Sequence, residues 1–127
     1  MRKLSLHKTG GACNDIEVYV TDEPGHGGAC HDYVIAYNLN PGTDEGGTTS
    51  LCDISFQNGP IKEFGVNGVT NESLLAVVAD RLQCFQNGKF ACNENANALN
   101  KVREAIFWLK SRTEDRILRN VEGKSVI

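Results

Sequence analysis

The chain has 127 residues, enough for one ordinary domain, and its 40% hydrophobic and 23% charged content is that of a globular protein. Thirteen Lys+Arg against sixteen Asp+Glu leave a net charge of −3, which argues against a protein that coats polymeric nucleic acid. The longest apolar run, residues 74–79, is too short to span a membrane, and no apolar signal core follows Met1-Arg2-Lys3. A cytosolic chain is therefore expected.

The charge is unevenly spread. Residues 14–61 carry Asp15, Glu17, Asp22, Glu23, Asp32, Asp44, Glu45 and Asp53 with no Lys or Arg, whereas from Lys62 onward basic residues slightly outnumber acidic ones. Such a split suits a partner that contacts one half, or subunits that pair unlike halves. Five cysteines at irregular spacings, with no Cys-x-x-Cys, read as free thiols of a reducing compartment.

In chain order, Ile16 to Val20 and Tyr33 to Tyr37 alternate apolar and other residues and are rich in β-branched or aromatic side chains, so both are predicted strands. Leu51 to Gln57 is a third strand, with Cys52, Ile54 and Phe56 on its apolar side. Asn58-Gly59 then reads as a hairpin turn, Ile61 to Val66 as the return strand, and Asn67-Gly68 as a second turn. Thr70 or Asn71 caps a helix running to about Gln86, whose buried face is Leu74, Leu75, Val78, Leu82 and Phe85. Asn87-Gly88 ends it, with a left-handed glycine expected. Asn93 is the expected N-cap of a longer helix from Glu94 to about Arg119, with Leu99, Val102, Ile106, Leu109 and Ile117 as its stripe. The prediction is an α+β fold: a small antiparallel β-sheet followed by a helical hairpin with a long C-terminal helix. It forms a single domain over 1–127, with sheet and Gly-rich loops in 1–69 and the hairpin in 70–123. The longer helix outruns its partner and its stripe has coiled-coil-like spacing, so self-association is expected.

Few residues suggest chemistry. The loop Thr21 to Gly28 could turn backbone N–H groups toward a phosphate, but it lacks the Lys-Ser/Thr of a P-loop, and Asp22 and Glu23 would repel an anion. A plain wide turn is the better reading. His26, Cys30 and His31, with Cys13 upstream, lack the paired spacing of a zinc site, and no nucleophile turn or paired-acid arrangement occurs. No catalytic residue, metal or cofactor is expected.

The long helix is more informative. At 100° per residue Lys101, Trp108, Arg112 and Arg119 lie close together beside the stripe, with Arg116 one turn after Arg112. Arginines and an aromatic plane together suit a nucleotide, although they also suit a solvated face paired with Glu104, Glu114 and Asp115. Asn95, a polar residue on the apolar side of the first turn, needs a partner. With Phe85 ten residues earlier, the set offers stacking, an amide and positive charge.

Several segments together resemble the first Thoeris anti-defence family of phage proteins. They are Ile54-Ser55-Phe56-Gln57-Asn58-Gly59-Pro60-Ile61-Lys62-Glu63, Gly65 to Glu72, Asp80-Arg81-Leu82 with Phe85-Gln86, Glu94-Asn95-Ala96 through Trp108-Leu109, Arg112-Thr113, and Val121-Glu122-Gly123. The loop Asp22 to Ala29 is similar too, and the hairpin also resembles an anti-CBASS sponge family. The resemblance implies a non-enzymatic protein of the host cytoplasm that binds and sequesters cyclic ADP-ribose isomers made by TIR-domain proteins. It further implies cyclic oligonucleotides at a separate site and a homo-oligomer of six subunits. Phe85 and Asn95 match positions implicated in signal binding, and Arg112 and Arg116 the phosphate contacts. One departure is Cys92-Asn93-Glu94-Asn95-Ala96, where the family has Cys-Arg-Glu-Asn-Ala; the lost cation implies weak binding of the cyclic oligonucleotide. The alternatives are an enzyme that degrades the same signal and a phage accessory protein with only a protein partner.

Overall fold

A computed structural model describes residues 1–11, 15–39 and 47–127. The fold is α+β. Four strands, β1 (Arg2–Leu4), β2 (Ile16–Val20), β3 (Asp32–Asn38) and β4 (Thr48–Ser55), form an antiparallel meander in the order β1-β2-β3-β4. Three helices follow in sequence: α1 (Ile61–Phe64), α2 (Asn71–Gln86) and the 26-residue α3 (Asn93–Leu118). The chain divides into two compact units, residues 1–59 with 66–68, and residues 60–65 with 69–127.

In the first unit, the register pairs Val18 with Ile35 and Val20 with Tyr33, and Tyr33 in turn with Ile54. Period-two alternation therefore gathers Ile16, Val18, Val20, Tyr33, Ile35, Cys52 and Ile54 on one side of the sheet. Val20 and Ala36 are almost fully buried. On Ala36's side, Glu17 is also buried, and Lys8 neutralises it at 2.9 Å. A bulge opposite Ile35 and Ala36 carries the register from Cys52 to Ser50, so Leu51 is the extra residue and is 57% exposed. The sequence missed β1, whose three residues are too short for a periodic signal.

The expected return strand from Ile61 to Val66 does not form. Pro60 leads instead into the four-residue α1, which Gly65 closes at φ 75° with its N–H bonded to the Ile61 carbonyl. A fixed proline φ suits a helix start, and a left-handed glycine suits its end. Asn67 does what the strand was expected to do. Its side-chain amide accepts from Asn58 N–H at 2.7 Å and donates to the Asn58 carbonyl at 2.8 Å, while its own N–H donates to Gln57 Oε1. Gly68 then passes so close to Phe56 that a Cβ would lie 2.4 Å from its carbonyl carbon. The glycine serves close approach here, not a positive φ.

In the second unit, Thr70 caps α2 through a reciprocal capping box with Ser73. The helix ends at Asn87 in right-handed geometry, so Gly88 supplies no left-handed cap. The side chain of Gln86 binds both the N–H and the carbonyl of Cys92 and closes the link instead. The N-cap of α3 is Cys92 rather than Asn93, its Sγ accepting from Asn95 N–H at 3.4 Å. At the other end Asn120 adopts φ 58°, with Asn120 and Val121 N–H bonded back to Ile117 and Arg116, the bonding of a Schellman cap. Helices α2 and α3 pack as a hairpin whose one fully buried apolar residue among those described is Leu99, 4% exposed.

Candidate functional site at the hairpin tip

The helix boundaries separate the sequence-predicted residues into two groups. Phe85 is the penultimate residue of α2 and Asn95 the third of α3, so both lie within a turn of the six-residue link. Arg112 comes 17 residues after Asn95 on the same helix, about 25 Å along its axis. One chain therefore places Phe85 and Asn95 at the same tip but does not bring Arg112 or Arg116 there.

At the tip, Phe85 is half-buried, and Phe90 meets its ring edge-to-face with centroids 6.5 Å apart. Arg81 lies over the same ring, its Cζ 5.1 Å from the centroid. Asn95 is half-buried, and its side-chain amide has no hydrogen-bond partner among the described residues. The sequence reading singled out neither Arg81 nor Phe90 for the site. The signal was the Arg81/Phe85 spacing of four, which puts a cation and an aromatic on one helical face.

The arginines differ in how they are occupied. Arg103 binds Gln83 across the hairpin, and Arg119 pairs with Asp115 at 3.0 Å. Arg116 is turned onto main-chain carbonyls, those of Val121 at 3.1 Å, Lys124 at 2.8 Å and also Val126. These bonds tie residues 121–127 to α3, and Glu63, which accepts from the N–H and hydroxyl of Ser125, ties them to α1. Arg81 and Arg112 have no hydrogen-bond or ion-pair partner among the described residues. Phe107 and Trp108 stack edge-to-face beside Arg112 and are 60% and 65% exposed.

The Gly-rich loop is a closed turn. Asp22 accepts from His31 N–H at 2.9 Å and Asp32 N–H at 3.2 Å. The His31 bond above all holds its carboxyl below the usual carboxylate range, against an opposing cost of desolvation. His31, buried, reaches the His26 carbonyl, and Cys30 lies against the Asp22 carbonyl. Gly27 and Gly28 take positive φ there. Among the described residues no group of three or more His, Cys, Asp or Glu could hold a metal ion; Cys13 lies outside them. No helix among them is long and apolar enough to cross a membrane.

The features define a helical-hairpin protein that carries an antiparallel sheet ahead of the hairpin in its sequence. Residues 49–114 match the family model of the Acb2/Tad1 hairpin domain, and the chain belongs to that family. Phe85, Asn95, Arg81 and Arg112 fall within the matched residues; Arg116 falls beyond them. Over 73 residues the chain is 53% identical to Thoeris anti-defense 1 of Bacillus phage SBSphiJ7, covering 58% of this chain and 51% of that protein. The chain thus spans about half the length of this curated relative.

Proposed function

We propose that this is a phage anti-defence protein that binds and sequesters, without cleaving, a cyclic ADP-ribose isomer used as the signal of Thoeris immunity. The observation that carries the reading is the hairpin tip, inside the family-matched segment, where Phe85 and Asn95 each lie within a turn of the link and the Asn95 amide has no partner among the described residues. Phe85 supplies an aromatic surface and Asn95 an amide for the base or sugar. Arg112, unpaired and about 25 Å away, supplies the phosphate contact from a second copy, so the site is completed between subunits. The exposed Phe107 and Leu118, eleven residues apart and so on one side of α3, with Trp108 next to Phe107, give such an assembly apolar surface to cover, and six copies is the expected number. Arg116 can join the phosphate contact only by giving up its carbonyls.

A sequestering protein needs slow release and no transition-state device. Acting in the host cytoplasm, it would remove the signal by stoichiometric binding. A cyclic oligonucleotide at a second site would bind weakly, because Asn93 lacks the charge that an arginine would bring there.

Calorimetry with a set of cyclic ADP-ribose isomers, followed by denaturing the protein and assaying the ligand, tests the reading. Tight binding with intact ligand recovered is expected. Loss of ligand would make the protein a degrading enzyme, and no rise in melting temperature with any isomer would favour a protein partner. A cyclic trinucleotide titrated in parallel tests the Asn93 argument.

A further inference from the structure

The tip holds a cation of its own within one chain. Phe85 is not an open platform: Arg81 lies over its ring and Phe90 stands against it at 84°. Phe90 is itself 73% exposed. The paired bonds from Gln86 to Cys92 fix the link that carries Phe90, so this arrangement is anchored at both ends.

The ring's negative face attracts the guanidinium and limits where it can point. Its in-plane N–H groups stay available, since no hydrogen-bond or ion-pair partner takes them among the described residues. Neighbouring Asp80 does not neutralise it and is instead within 4.0 Å of Cys84 Sγ. An oriented guanidinium with free donors, on a surface where three other arginines are already occupied, is suited to a bidentate phosphate contact.

We infer that Arg81 is a second group that meets the ligand's phosphate, from the hairpin tip and beside the Arg112 of another copy, and that Phe85 and Phe90 are positioning residues that hold it there. The ligand class is a phosphate-bearing nucleotide. The inference rests on the proposed function and changes one part of it: the Phe85 ring acts in part through Arg81 rather than only by stacking on a base.

The test is calorimetric titration of a cyclic ADP-ribose isomer into wild type, Arg81→Gln, Phe85→Ala and the double variant, each at low and high salt. Each single change should weaken binding about tenfold to a hundredfold. The double variant should be scarcely worse than the more severe single, because the two residues act as a unit. Arg81→Gln should also flatten the salt dependence, which a purely structural role would leave alone. Affinity within about twofold of wild type for Arg81→Gln, with Phe85→Ala severely impaired, overturns the inference, as do losses that simply add. Should wild type bind no isomer, the proposed function fails first, and inorganic pyrophosphate then tests Arg81 separately. The expected result is a pyrophosphate-dependent shift of the Arg81 Nε–H resonance, lost in Arg81→Gln; no shift at millimolar pyrophosphate overturns the assignment.

Discussion

A site that draws Asn95 from one copy and Arg112 from another has a consequence that can be counted. The two residues are 17 positions apart on one continuous helix, about 25 Å, and no proline or positive-φ residue bends α3 between them. Asn95→Ala should cost about 1–3 kcal/mol in ligand affinity, and Arg112→Ala, through a charge-assisted contact, about 1.5–3 kcal/mol. Each pure variant then has every site defective. Mixed in equal amounts during expression, the two variants co-assemble, and an intact site arises where an unaltered tip meets an unaltered Arg112. In a symmetric assembly with random mixing that is about one site in four. Calorimetry of the purified mixed assembly should therefore show a high-affinity class at about a quarter of the wild-type stoichiometry. If both residues served one site from the same chain, no mixed assembly could recover any, and absence of the high-affinity class would refute the reasoning.

Three further predictions follow from single contacts. Leu99→Ala should destabilise the hairpin by about 2–5 kcal/mol, measured by helical circular dichroism in denaturant; a cost below about 1 kcal/mol would put the core of this unit elsewhere. Arg116→Gln should free residues 121–127, speeding amide exchange at Ser125, and should weaken ligand binding less than Arg112→Ala does; the reverse order would make Arg116 the main phosphate contact. The Asp22 loop should loosen only in acid. Its folded pKa is lowered, so its contribution is complete above the unfolded value of about 3.9 and is lost as pH falls through the lower folded value. The His31 amide resonance should accordingly move below about pH 4, and Asp22→Asn should abolish that step; a step that survives in Asp22→Asn would refute the assignment.

How legible each element was depends on how local its cause is. The extent of helix α2 was readable, with its cap narrowed to Thr70 or Asn71, because the cap and the leucine spacing act within four positions of one another; the left-handed end expected at Gly88 does not form. Strands β2 and β3 were readable for the same reason, since alternation is a property of the segment itself. The segment after Asn58 was not. The two flanking Asn-Gly pairs suggested a return strand, yet the amide of Asn67 takes the main-chain partners that such a strand would have used, and that competition spans nine residues. The site divides in the same way. Phe85 and Asn95 flank a short link, so their place at the tip could be anticipated from the two helix patterns. Arg112 and Arg116 looked equivalent from their spacing, but which of them stays unspent depends on carbonyls folded back from residues 121–126. Arg81 was hidden by a different cause. Placing arginines around α3 drew attention to that helix, while the cation at the tip belongs to α2 and shows itself only by its position over Phe85. Counting basic residues on a helix says where charge is, whereas the partner each one has already found decides which charge a ligand can use.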